Sequence, residues 1–160
     1  MKTLEGIRDE LLGLYNGNGW HGPSLTELLD GVTAEEALQQ PLNGAHSIWE
    51  IVLHLWAWTN EVTRRLQGGS SYEPIEGNWP AITAADQAGW QKTLADLDVT
   101  HQALSDVIAQ FPENRLDDIV PSSREFNVNM SFANMLNGLI AHNAYHAGQI
   151  AILKTAGKIS

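Results

Sequence analysis

A chain of 160 residues, 43% of them apolar, is long enough to bury a core of its own and too apolar for disorder to be the default. Nine Lys and Arg against nineteen Asp and Glu give a formal net charge of -10, which repels phosphate backbones and anionic lipid heads, so neither nucleic acid nor a membrane surface is expected as a partner. Cysteine is absent, which excludes disulfides, thiolate metal ligands and a cysteine nucleophile.

The opening Met1-Lys2-Thr3-Leu4-Glu5 lacks the apolar run of a signal peptide. No stretch approaches the roughly 20 apolar residues of a membrane span, so a cytoplasmic protein is expected. Four long segments carry helical periodicity, and nothing reads as a hairpin or a βαβ unit. The first runs from Lys2 to Tyr15, with Leu4, Ile7, Leu11 and Leu14 on one stripe, and stops at Asn16-Gly17-Asn18-Gly19. Short helical pieces are predicted at Ser24 to Asp30 and Ala34 to Gln39, the second opened by a Thr33/Glu36 capping box.

The second long helix starts at Ser47-Ile48-Trp49-Glu50, again a capping box, and continues to Gln67, where Gly68-Gly69-Ser70-Ser71 breaks it. Ile48, Ile51, Leu55, Trp58 and Val62 make its apolar stripe. Residues 68–82 read as a long connection that crosses the bundle. The third helix is predicted from Ala84 to Gln110, capped by Thr83 and Asp86, with Trp90, Leu94, Leu97, His101, Leu104 and Ile108 inward. A second connection passes Pro112 and Pro121. The fourth helix is predicted from Ser131 to Thr155, with Gly157 as its stop. The fold class is therefore all-α, a four-helix bundle with a long crossover, in one domain over residues 1–160.

His142-Asn143-Ala144-Tyr145-His146 places two imidazoles one helical turn apart, about 6 Å along the axis. They share a stripe with Phe132, Met135, Leu139, Gln149 and Leu153, so they point inward. Buried imidazoles need bonded nitrogens, which either core hydrogen bonds or a metal ion can supply. His54, between Ile51 and Trp58 on the second helix, is a third candidate and favours the metal. Three neutral imidazoles suit zinc, nickel or a similar divalent ion and leave coordination positions open. Asn143 follows His142, so no His-Glu-x-x-His zinc-protease motif is present, and no histidine has a glutamate three positions earlier as a di-iron bundle requires.

The remaining histidines carry less. His101 reads as a core or boundary histidine, and His46, ahead of a cap, as structural or exposed. His21, in Trp20-His21-Gly22-Pro23-Ser24-Leu25, is a candidate for a pocket mouth or plain polar surface. Six tryptophans, among them Trp49, Trp56 and Trp58 near His54, serve packing, and Trp58 is also a candidate to line a ligand pocket.

Gly44-Ala45-His46-Ser47-Ile48-Trp49-Glu50-Ile51-Val52-Leu53-His54-Leu55 resembles the first signature of the DinB-like superfamily of metalloenzymes. Gly138-Leu139-Ile140-Ala141-His142-Asn143-Ala144-Tyr145-His146-Ala147-Gly148-Gln149-Ile150 resembles the second, and the likeness spans essentially the whole chain. The resemblance implies a bundle with a long crossover, a zinc or nickel ion on His54, His142 and His146, and often a homodimer. Relatives include S-transferases and isomerases that use low-molecular-weight thiols, so a thiol cosubstrate and a small-molecule electrophile are the expected partners. Asn143 stands where many members have aspartate.

The leading expectation is an enzyme whose metal activates an external thiol, with Glu50 as base or merely a cap, and Gln149 orienting a ligand or satisfying backbone. Metal-dependent hydrolysis is the catalytic alternative. A non-catalytic binding or stress-response protein stabilised by its metal is the other.

Overall fold

The computed structural model describes residues 3–17, 19–70, 73–121 and 129–157. Lys2, where the sequence starts its first helix, and Asn18 and Ser71 of two turn readings lie outside them. Six α-helices are described: α1 Leu4–Asn16, α2 Leu25–Leu29, α3 Ala34–Leu38, α4 Ile48–Leu66, α5 Gln87–Gln110 and α6 Phe132–Gly157. Among the described residues there is no strand, only one isolated antiparallel bridge between Ile119 and Ser131.

Helix boundaries follow their caps. Ser47 accepts the Glu50 backbone N–H while the Glu50 carboxylate accepts the Ser47 N–H, and the same reciprocal box opens α3 at Thr33/Glu36 and α2 at Ser24/Glu27. Arg64 and Arg65 lie in the last turn of α4, where the helix dipole favours positive charge, and Gly68 then turns the chain at a φ of 97°. The expected start of α5 at Ala84 is three residues early. Asp86 accepts the Gly89 N–H and caps the helix there, while the Ala84 carbonyl folds back over its first turn. A Cβ at Gly89 would sit 2.0 Å from that oxygen. Gly157, read as a stop, is the last described residue of α6.

Side-chain bonds between helices give the topology. Arg8 bonds Ser105 and Tyr15 bonds Asp98, so α1 and α5 run antiparallel. Trp49 bonds Thr93 and Thr100 bonds Asn60, so α4 and α5 run in the same direction. His54 meets His146 and His142 while Trp58 meets His142, so α6 runs against α4. With α1 also packed on α6, the order around the bundle is α1, α5, α4, α6. Parallel neighbours cannot be joined by a tight turn, so the connection from α4 to α5 has to return along the bundle.

Two apolar clusters fill the interior. One gathers Trp49, Val52, Leu55, Trp90, Leu97 and Ile150 around the N-terminal half of α4; the other gathers Ile7, Val62, Leu104, Ile108, Phe132 and Leu136 at the opposite end. Between them lies a belt of buried polar side chains that includes His54, Thr59, Thr100, His101, Asn143 and His146. His101 stacks on Tyr15, with ring centroids 3.9 Å apart, and its Nε2 is buried without a partner. The cost of leaving that atom bare is of the order of a hydrogen bond, so the belt is less stable than an apolar layer would be.

Burial holds the His101 ring neutral and takes its pKa down to about 4. An unfolded histidine titrates near ~6.5, so the associated stability is complete above that value and is lost as pH falls from ~6.5 to about 4, by roughly 3 kcal/mol. His54, His142 and His146 are shifted in the same direction and add to the loss. Urea unfolding in chelator across pH 4 to 7 should show a shallower acid decline for His101→Leu than for the parent chain. Equal slopes would remove His101 from the account.

Candidate metal centre

Helix α4 supplies His54 from its middle, and α6 supplies His142 and His146 one turn apart on the face it turns to α4. One ring nitrogen from each lies within 4.8 Å of the others, with His54 and His146 buried and His142 half-buried. The Nε2 atoms of His54 and His142 are 2.9 Å apart. These three side chains could hold a metal ion.

Hydrogen bonds set which nitrogen each ring turns inward. His54 Nδ1 donates to the backbone carbonyl of Asn78 at 2.6 Å, and His146 Nδ1 donates to the Gln149 Oε1 at 2.6 Å. A carbonyl oxygen only accepts, so both rings carry their proton on Nδ1 and turn an Nε2 lone pair inward. Second partners of this kind are what orient metal-ligating histidines. His142 differs. Its Nδ1 and the neighbouring Asn143 Oδ1 are both buried without a formed hydrogen bond, although the amide stands beside the ring. With His54 Nε2 a lone pair, the 2.9 Å contact is a hydrogen bond from His142 Nε2–H. Moving that proton to Nδ1 frees the third lone pair and gives Asn143 Oδ1 a donor. The orphaned pair thus fits a cation at the convergence point.

All three rings are neutral at pH 7. Desolvation is the main cause in each case, and takes His142 down to about 4 with help from the nearby His146 and His54. Neutral imidazole is the form that ligates.

The crossover covers the site with two residues that periodicity did not single out. Trp79 is sandwiched between His46 at 3.6 Å and His54 at 4.1 Å, all three rings nearly parallel. Asn78 contributes its carbonyl to His54 and its side-chain oxygen to the Trp58 indole N–H at 2.8 Å. An amide and an indole side by side in a long connection are the whole of their sequence signal.

Two pockets meet at the triad. One, of about 430 Å³, has His46, Trp79, Tyr145, His146 and Gln149 in its wall; the other, of about 300 Å³, has His54, Trp58 and His142. Among the described residues, neither is lined by Asp or Glu. Of the other sequence candidates, Gln149 is at the site, bonded to His146, and Trp58 lies against His54 and His142. Glu50 is not brought to the rings. Its carboxylate accepts the Ser47 N–H at 2.7 Å and the Gln40 amide at 3.2 Å, and sits 3.6 Å from His46. Burial raises the Glu50 pKa, but those hydrogen bonds outweigh it and keep the carboxyl ionised. His21 is exposed, folded back over Gly19, and lines neither pocket.

The sequence model of the DinB superfamily matches residues 20–150, a span that takes in all three histidines and both motifs. The chain belongs to the DinB superfamily. No curated protein and no solved structure matches it. Helix α1 lies ahead of the matched span but completes the bundle against α5 and α6.

Gln149→Ala should weaken zinc binding ten- to a hundredfold while leaving helical content unchanged, measured by competition with a chromophoric chelator. Unchanged affinity would mean that the Gln149–His146 bond does not orient a ligand.

Proposed function

We propose that this DinB superfamily chain, a single domain over residues 1–160, is a mononuclear metalloenzyme that transfers a low-molecular-weight thiol to a small electrophile. The observation that carries the reading is the convergence of three neutral imidazoles, two held by carbonyl acceptors, in a chain with no cysteine of its own. His54, His142 and His146 would hold one divalent ion, zinc or nickel. Bound there, the ion supplies Lewis acidity that favours the thiolate of a thiol cosubstrate.

The chain's own residues do the remaining work. Asn78 and Gln149 keep the ring protons on Nδ1, so that the lone pairs stay directed inward. Trp79 covers the His54 ring and keeps water from that side, and Trp58 gives the opposite pocket an apolar wall. In the reaction the thiol gives its proton to water, a carbon–sulfur bond forms, and the leaving group departs with its electron pair. With no Asp or Glu among the described residues of either pocket wall, the lining favours this over hydrolysis, which would use a carboxylate base beside the metal. A cytoplasmic location and a homodimer complete the reading, on the strength of the composition and of the family resemblance.

The test pairs metal analysis with turnover. Purified protein should carry about one zinc or nickel per chain, and His142→Ala should lose most of it while staying helical. Metal-loaded protein should then speed thioether formation between monobromobimane and at least one of glutathione, bacillithiol, mycothiol or cysteine, releasing bromide. His142→Ala should return the rate to the uncatalysed background. Full metal occupancy in His142→Ala would overturn the ligand assignment. Bound metal with no transfer across the panel would favour hydrolysis or a metal that only stabilises the fold.

A further inference from the structure

The two pockets differ in chemistry, and the difference bears on what the site accepts. The pocket on the His54/His142 side is walled by Trp58, Val62, Met130, Met135 and Leu139, with Gly138 at its exposed mouth. Its polar atoms are few. Asn78 is committed to His54 and Trp58, and the buried Arg65 guanidinium is paired with Glu61 at 2.6 Å. Glu61 also takes Arg64 at 2.8 Å, so the Arg65 guanidinium is held inside a buried ion cluster rather than offered to a ligand, and desolvating a ligand charge there would be costly.

We propose that this pocket is the specificity subsite for an uncharged apolar group, a short alkyl chain or a single aromatic ring, carried by the substrate whose reacting atom lies at the triad. The proposal rests on the metal-site reading for its reaction but not for its binding, since none of the apolar wall residues is one of the three histidines. The two methionines suit a pocket of this kind, because unbranched thioether side chains adapt to irregular apolar guests. The pocket on the other side adds the polar groups of His46, Tyr145 and Gln149 to a wall that also holds Ile51, Trp79 and Ile152, and is left for the thiol, which carries polar groups of its own.

Gly138 makes the proposal testable. It lies one turn before His142 on the same face of α6, and a Cβ built there meets nothing within 4 Å. A glycine inside a helix is less favourable than alanine, so a side chain at 138 is tolerated by the backbone and extends into space at the pocket mouth. Gly138→Phe should therefore fold and block the pocket, whereas Gly138→Ala should fold and leave it open.

The experiment uses the full chain labelled with ¹³C at the methionine methyls, titrated with 1-butanol, 1-hexanol and 1-octanol and, separately, with hexanoate. The Met130 and Met135 methyl signals should shift on titration, with affinity rising about three- to fourfold for each added methylene. Hexanol should bind more tightly than hexanoate. Gly138→Phe should abolish the shifts with its amide spectrum otherwise retained, and Gly138→Ala should keep them. Tighter binding of hexanoate, affinity independent of chain length, or undiminished binding in Gly138→Phe would each overturn the subsite. Because the titration runs equally with and without zinc, failure of the thiol-transfer reading leaves its result intact, and failure of the subsite leaves turnover of a small electrophile intact.

Discussion

Two short hydrogen bonds govern the chemistry available to this bundle: His54 Nδ1 to the Asn78 carbonyl and His146 Nδ1 to the Gln149 side-chain oxygen. Each acceptor is an oxygen that cannot donate, so each ring is confined to one tautomer with its inward nitrogen bare. Two bare nitrogens facing each other in a low-dielectric interior are unfavourable unless something electropositive stands between them. The His142 Nε2–H meets the His54 lone pair at 2.9 Å, and a divalent ion would serve all three rings together. The site is thus built from its outer partners inward.

That arrangement depends on the topology. Because α4 and α5 run side by side in the same direction, the chain has to return along the whole bundle, and the return path passes over His54. The crossover thereby delivers a carbonyl, an amide and an indole to one spot. Trp79 is itself held by His46, the residue immediately before the α4 cap, so the start of α4 and its middle are tied together through the loop. The clusters on either side of the polar belt supply the rigidity. Trp49, Leu55 and Ile150 fix one flank of the triad, and Val62, Met135 and Leu139 fix the other.

Much of this was legible in the residues. The capping boxes at Ser47/Glu50 and Thr33/Glu36 set helix starts by local bonds alone, so they could be placed to the residue. His142 and His146 were readable as a pair because helical spacing is a local property, and His54 because its neighbours made an apolar stripe. Gln149 was readable as one turn past His146. The α5 start was misplaced because Thr83 and Asp86 are both competent caps and only the fold-back of Ala84 decides between them. Asn78 and Trp79 were invisible for a different reason. Their importance comes from where the crossover lands, 24 positions from His54 in sequence, and no periodicity encodes that. The DinB superfamily match covers the crossover and both histidine motifs together, which is the combination the site needs.

The central claim is that three imidazole nitrogens surround one ion. X-ray absorption at the metal edge of the zinc- or nickel-loaded protein tests it most directly. Three imidazole ligands should appear at about 2.0–2.1 Å for zinc, with the outer-shell scattering of their rings. A spectrum fitted by oxygen donors with one imidazole or none would contradict the account.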